Sequence, residues 1–136
     1  MGALLNNGFN YKHIRQVIGV SKCYSTYVGN KRFSEDSPVF EKIRSIGEEY
    51  GATTGRARQI DWLNMPEIMR SAAMNGVDKL IINKMDILRQ IDDAWRLQDF
   101  INVCDCHNES NFIKQINVIV NDIMPGLEVE FQGSAE

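Results

Sequence analysis

The chain has 136 residues, 43% of them hydrophobic and 24% charged, which suits one compact domain with a packed core and excludes a chain disordered throughout. Its formal net charge of −3 argues against a generic nucleic-acid binder, since basic residues gather only locally, at Lys31-Arg32 and around Arg56 and Arg58. No apolar run is long enough to cross a bilayer, no n-region precedes an h-region, and three cysteines lack framework spacing, so a cytoplasmic protein without membrane or nucleic-acid partners is expected.

In chain order, Ile14, Val17 and Ile18 stand at helical spacing, and Val20 to Val28 predicts a strand of β-branched and aromatic residues ending at Gly29. Ser37-Pro38 supplies an N-cap and a first-turn proline for a helix that carries Val39, Phe40, Ile43, Ile46 and Tyr50 on one face and ends at Gly51. A loop rich in glycine, threonine and arginine follows. From Met65, the positions Ile68, Met69, Ala72 and Ala73 predict a helix closed by Asn75-Gly76, and Leu80-Ile81-Ile82 predicts a buried strand. Ile87, Leu88, Ile91, Ala94 and Trp95 predict a helix, and so do Phe112, Ile113, Ile116, Ile119, Val120 and Ile123, stopped at Pro125-Gly126. Leu127, Val129 and Phe131 alternate with Glu128, Glu130 and Gln132, as a terminal edge strand should. The segment from Leu127 to Gly133 differs at one residue from a protease site used in expression vectors; Glu130 and the alternation favour native sequence. The expected fold class is α/β, a single domain over residues 1–136 with a partial mixed sheet flanked by helices.

Two segments carry chemistry. Asn83-Lys84-Met85-Asp86 follows the buried strand, and a carboxylate fixed there accepts both N1–H and the 2-amino group of guanine, a donor pair that adenine lacks. The Lys84 stem can cover the flat face of the base while its ammonium stays hydrated. Read without context, the tetrapeptide is a weak match, and a strand end followed by a charged helix start accounts for it. In Gly51-Ala52-Thr53-Thr54-Gly55-Arg56-Ala57-Arg58, freed amides, hydroxyls and two guanidiniums suit carboxylates and phosphates, and residues two apart in an extended loop point the same way. The alternative is a solvated basic turn. Cys104-Asp105-Cys106-His107 raises the question of zinc, but only Cys23 and His13 remain as further ligands of that kind, so ordinary packing or a loop is expected and no metal site is assigned.

Glu49-Tyr50 with the loop through Arg58, then Trp62, then Lys84-Met85-Asp86-Ile87-Leu88, together with Lys22-Cys23-Tyr24-Ser25-Thr26-Tyr27-Val28-Gly29 upstream, resemble the C-terminal portion of adenylosuccinate synthetase. The resemblance is dense over residues 19–88 and thin beyond. It implies a GTP-dependent ligase of purine biosynthesis: GTP phosphorylates the 6-oxygen of inosine monophosphate, and the amino group of L-aspartate displaces that phosphate to give adenylosuccinate. It implies an aspartate loop of Ala52, Thr53, Thr54, Gly55, Arg56, Ala57 and Arg58, with Thr53, Thr54 and Arg58 on the aspartate carboxylates. Val28 and Arg56 would meet the inosine nucleotide. Arg58, Asn83, Lys84, Met85, Asp86, Phe131, Gln132 and Gly133 would meet GTP, although Phe131 and Gln132 replace the family's usual small hydroxyl residues.

Asn83 stands where the family usually has threonine, Tyr27 replaces a common arginine, and the stretch between Leu88 and Ser110 is shorter than in typical members. Nothing in residues 1–18 resembles the family's phosphate loop, catalytic aspartate and histidine, or magnesium site. The expectation is therefore a fragment or one half of a split enzyme, without catalytic residues or turnover of its own. Its Mg2+ ligands lie outside this chain, and it needs an N-terminal half or second subunit, with open strand edges in the meantime and a homodimer once complete. Two alternatives are a related phage ligase acting on a guanine-type deoxynucleotide, and a non-catalytic binding or regulatory module derived from a synthetase.

Overall fold

The computed structural model describes residues 6–133. After a single 3-10 turn (Tyr11–His13) the elements are β1 (Ile18–Lys22), β2 (Tyr24–Tyr27), α1 (Pro38–Ile46), β3 (Gln59–Asn64), α2 (Met65–Asn75) and β4 (Lys79–Asn83). Then come α3 (Met85–Leu88), β5 (Arg96–Gln98), β6 (Val103–Asp105), α4 (Glu109–Ile123) and β7 (Glu128–Phe131). The α/β class holds, with the strands in two sheets flanked by helices. One sheet has the order β1-β4-β7 and is parallel throughout, while the other, β2-β3-β5-β6, is mixed.

The extended run from Val20 to Val28 divides at Cys23. Upstream of it, β1 pairs with β4; downstream, β2 pairs with β3 in the other sheet. Cys23 stays tied to the first sheet through its N–H, which donates to the Asn83 carbonyl at 2.9 Å. Ile14, Val17 and Ile18 form no helix: Ile14 is already extended, and Val17 bonds through its carbonyl to the amides of Asp78 and Lys79.

Helix ends follow local chemistry. In α1, Ser37 accepts from the Val39 amide and Pro38 opens the first turn, as expected, burying Phe40 and Ile43. The helix stops at Ile46 instead of running to Tyr50, because the Gly47 amide caps the Ile43 carbonyl and Glu48 takes a left-handed φ of 51°. Asn64 caps α2 by accepting from Glu67, and Gly76, at φ 60°, closes it. The helix expected through Trp95 is the single turn α3; Asp93 at φ 58° reverses the chain, and Trp95 packs its ring against Phe112 at 5.4 Å before β5. Asn108 caps α4, whose Phe112, Ile116, Ile119 and Val120 are buried. Each such side chain contributes roughly 1.5–3 kcal/mol relative to exposure, so the buried helix faces outweigh backbone propensity here. In β7, Val129 and Phe131 sit opposite Leu80 and Ile82, while Glu128 and Glu130 both reach Lys79, which fits the expected edge strand.

β1 lies at the edge of its sheet. Val17 and Cys23 bond toward β4, so by alternation the backbone groups of Ile18 and Val20 face the other way, where no strand among the described residues pairs with them. Their side chains are 50% and 63% exposed. This edge, with β2 and α2, borders a groove of about 690 Å³. No helix among the described residues is long and apolar enough to cross a membrane.

Candidate functional site

The threonine-arginine loop is a closed reversal standing on α1 and β3. The Arg58 amide donates to the Glu49 carbonyl, Tyr50 bridges Ala57, the Gly51 amide donates to the Arg56 carbonyl, and Gly55 donates back to Gly51. Gly55 takes φ 63°, and a side chain at Gly51 would collide with the Thr54 hydroxyl at 2.9 Å, so both glycines serve the turn. Residues 52–57 are exposed, and the Thr54 hydroxyl accepts from the Arg56 amide at 3.4 Å.

The two arginines have different protein partners. Arg56 donates through Nη2 to the Gly29 carbonyl at 2.9 Å and to Asn30 Oδ1 at 2.6 Å, which brings the loop beside Val28, itself 62% exposed. A β-carbon on Gly29 would run into the Tyr27 ring and hydroxyl. Tyr27, which replaces an arginine common in the resembled family, stacks on Phe33. Arg58 donates through Nη1 to Glu49 at 2.8 Å, while its Nε is enclosed without a hydrogen-bond partner among the described residues.

Glu49 was not singled out as a functional residue in the sequence. Its carboxylate is 3% exposed and accepts from Lys22 Nζ at 2.7 and 2.8 Å, from the Tyr24 hydroxyl at 2.8 Å and from Arg58. Burial pushes the Glu49 carboxyl up, but the bonds from Lys22, Tyr24 and Arg58 outweigh it and hold the group below the ordinary value of 4.5. Its stabilising contribution is therefore present above that value and is lost as pH falls through the lower folded-state value. The one sequence hint is Lys22 and Tyr24 flanking Cys23 in an extended run, two polar tips on either side of a buried position.

The second half of the site stands at the carboxyl end of β4. Lys84 adopts a left-handed φ of 67° and turns the chain into α3. Burial pushes the Cys23 thiol well above its usual range, so it stays protonated, and it donates to the Lys84 carbonyl at 3.2 Å. Asp86 Oδ1 and Asn83 Oδ1 are enclosed and have no hydrogen-bond partner among the described residues. A buried carboxylate oxygen left bare is costly, so its placement suits a ligand with donors.

The chain's last described residues come to the same place. The Gln132 amide donates to the Ile82 carbonyl and the Met85 amide to the Gln132 carbonyl, and a β-carbon on Gly133 would lie 3.7 Å from Asp86 Cβ. Phe131, Gln132 and Gly133 are thus brought beside Asn83, Lys84, Met85 and Asp86. Arg89 forks onto Glu109, Nε to Oε2 at 2.9 Å and Nη2 to Oε1 at 2.6 Å, fixing α3 to α4 behind them.

Cys104-Asp105-Cys106-His107 lies at the end of β6 and in the turn after it. Cys106 is buried and its thiol is pushed up to about 12 by burial, with Cys104 and Asp105 adding to the shift; His107 Nδ1 rests 3.2 Å from Asp105. No group of three or more histidine, cysteine or acidic side chains among the described residues is placed to hold a metal ion.

A family model described as adenylosuccinate synthetase matches residues 1–124. An adenylosuccinate synthetase from Deinococcus radiodurans is 36% identical over 115 residues, which are 79% of this chain and 27% of that protein. One from Sorangium cellulosum is 40% identical over 89 residues, 64% of this chain and 21% of the relative. The chain thus spans about a quarter of the length of the curated relatives it matches. The solved structure of a fully ligated adenylosuccinate synthetase from Plasmodium falciparum superposes with a TM-score of 0.69 at 20% identity, covering 96% of this chain and 40% of that one; this likeness concerns the fold.

Proposed function

The chain belongs to the adenylosuccinate synthetase family, and from that membership we propose that it is the C-terminal substrate-binding part of a cytoplasmic, GTP-dependent ligase that joins L-aspartate to inosine monophosphate. Lys84 and Asp86 hold guanine, with Asn83, Met85, Phe131, Gln132 and Gly133 around it. Thr53, Thr54 and Arg58 face the aspartate carboxylates, in a loop that also includes Ala52, Gly55 and Ala57. Val28 and Arg56 meet the inosine nucleotide, and Arg58 also approaches GTP. The observation that carries this reading is the enclosed, unpartnered Asp86 oxygen at the end of β4, in a chain of this family.

What the residues do here is bind and orient. Arginine forks and amide donors neutralise substrate charge, and fixing both partners removes the entropy of bringing them together. In this reading the activation of the 6-oxygen and the charge neutralisation by Mg2+ fall to groups outside residues 6–133. We assign them to the remainder of the family's sequence, whether on a longer chain or a second one. The open edge of β1 suits a strand from that remainder, with apolar side chains above Ile18 and Val20. The completed enzyme is expected to be a homodimer.

Titrating the chain with GDP and with ADP tests the base assignment. GDP is expected to bind at least tenfold more tightly, the difference that a carboxylate with two guanine donors provides. Equal affinities would overturn the assignment.

A further inference from the structure

Glu49 is the only buried charged residue among those described. Removing a carboxylate from water is expensive unless partners compensate, and here two cations do: Lys22 bonds both oxygens and Arg58 bonds Oε2. Two cations and one carboxylate leave one net positive charge. It sits at the base of the threonine-arginine loop, where Arg58 keeps an enclosed Nε with no partner among the described residues. Because the guanidinium is planar, fixing Nη1 on Glu49 sets the direction of its remaining donors.

The same three-residue segment reaches the other half of the site. Lys22 grips Glu49, Cys23 bonds the carbonyls of Asn83 and Lys84 through its amide and its thiol, and Tyr24 returns to Glu49. Loop and base site therefore hang on adjacent residues at the point where the chain changes sheets.

We propose that Glu49 is a positioning residue, whose carboxylate aims the Arg58 guanidinium at the ligand's anionic group and, through Lys22, keeps the loop in register with the guanine site. This rests on the reading of Arg58 as an anion ligand. The charged and titratable groups facing Glu49 are Lys22 of β1, Tyr24 of β2 and Arg58 ahead of β3; Arg44 of α1 stands behind, donating to the Arg58 carbonyl.

The test compares GTP with guanosine on the 136-residue chain, by calorimetry, in the unaltered protein and in Glu49→Gln, Arg58→Ala and the double variant. Guanosine needs only the base site; GTP needs both halves. Glu49→Gln and Arg58→Ala are each expected to weaken GTP by roughly tenfold, as loss of a charge-assisted contact does. Guanosine should be unaffected, and the double variant no weaker than Arg58→Ala alone. GTP affinity kept in Glu49→Gln, or a loss that adds fully to that of Arg58→Ala, would overturn the proposal. An unchanged Arg58→Ala would refute the anion-ligand reading itself and the proposal with it.

A readout on the unaltered protein needs neither ligand nor variant: the Arg58 Nε–H resonance should shift as Glu49 takes up its proton at acid pH. An Arg58 signal that stays fixed while the Glu49 carboxyl titrates would also overturn the proposal.

Discussion

Asp86→Ala is expected to abolish the preference for GDP over ADP. Two hydrogen bonds from guanine to a charged acceptor are worth roughly 1.5–3 kcal/mol each before losses, so GDP affinity should fall by about a hundredfold. ADP, which never had the donor pair, should hardly change. Because Asp86 Oδ1 has no hydrogen-bond partner among the described residues, the variant should keep its thermal midpoint or raise it slightly. Calorimetry with both nucleotides, beside a melting curve, separates this from a folding defect. Asp86→Asn sharpens the comparison by turning an amide donor toward guanine's own donors while preserving size. Retained GDP preference in either variant would remove Asp86 from the base site.

Val20→Pro should leave the chain folded and block its completion. The backbone groups of Val20 face the open edge of β1, so the lost N–H is one that β4 does not use, and proline is tolerated on an edge strand. A strand adding to that edge would lose a ladder bond and meet the pyrrolidine ring. Association with a polypeptide supplying the rest of the family's sequence should weaken by tenfold or more, measured by sedimentation or by interferometry. Circular dichroism checks that the variant is folded. Unimpaired association of the folded variant would mean that the completing segment docks elsewhere.

Legibility in the sequence followed the length over which a physical signal repeats. The helices α1, α2 and α4 carry caps and several buried positions at helical spacing; α1 was readable from Ser37-Pro38 and α2 from Met65, whereas α4 was read only from Phe112 and the caps Asn64 and Asn108 went unread. The end of α2 at Asn75-Gly76 was readable as well, but that of α1 was not: Glu48 in a left-handed conformation cuts it short, and nothing in Ile46 or Tyr50 announces it. In β3 the buried residues are Ile60 and Leu63, three apart, so the alternation of a strand is missing; β5 and β6, at three residues each, are too short to show a period. The apolar residues Ile91, Ala94 and Trp95 are buried as their spacing demanded, but by turns instead of a helix.

For the site, each half was readable because its residues are contiguous. Asn83 to Asp86 and Ala52 to Arg58 present their chemistry within a single turn or loop. What joins the halves was hidden, because Lys22 and Glu49 are 27 residues apart and Tyr24 and Glu49 25 apart. Only a fold that sends the run through Cys23 from one sheet to the other puts them together. The divergence of the arginines was hidden for the same reason: Arg56 finds Gly29 and Asn30, and Arg58 finds Glu49, across tertiary contacts that no local spacing encodes.

The most direct measurement of the central claim is adenylosuccinate formation from GTP, inosine monophosphate, L-aspartate and Mg2+. It should be followed with the 136-residue chain alone, with a polypeptide carrying the rest of the family's sequence alone, and with the two mixed. Product is expected only in the mixture, and its rate should collapse when the mixed chain carries Asp86→Ala. Turnover by the 136-residue chain alone, or a mixture that forms a stable complex yet makes no product, would contradict the account.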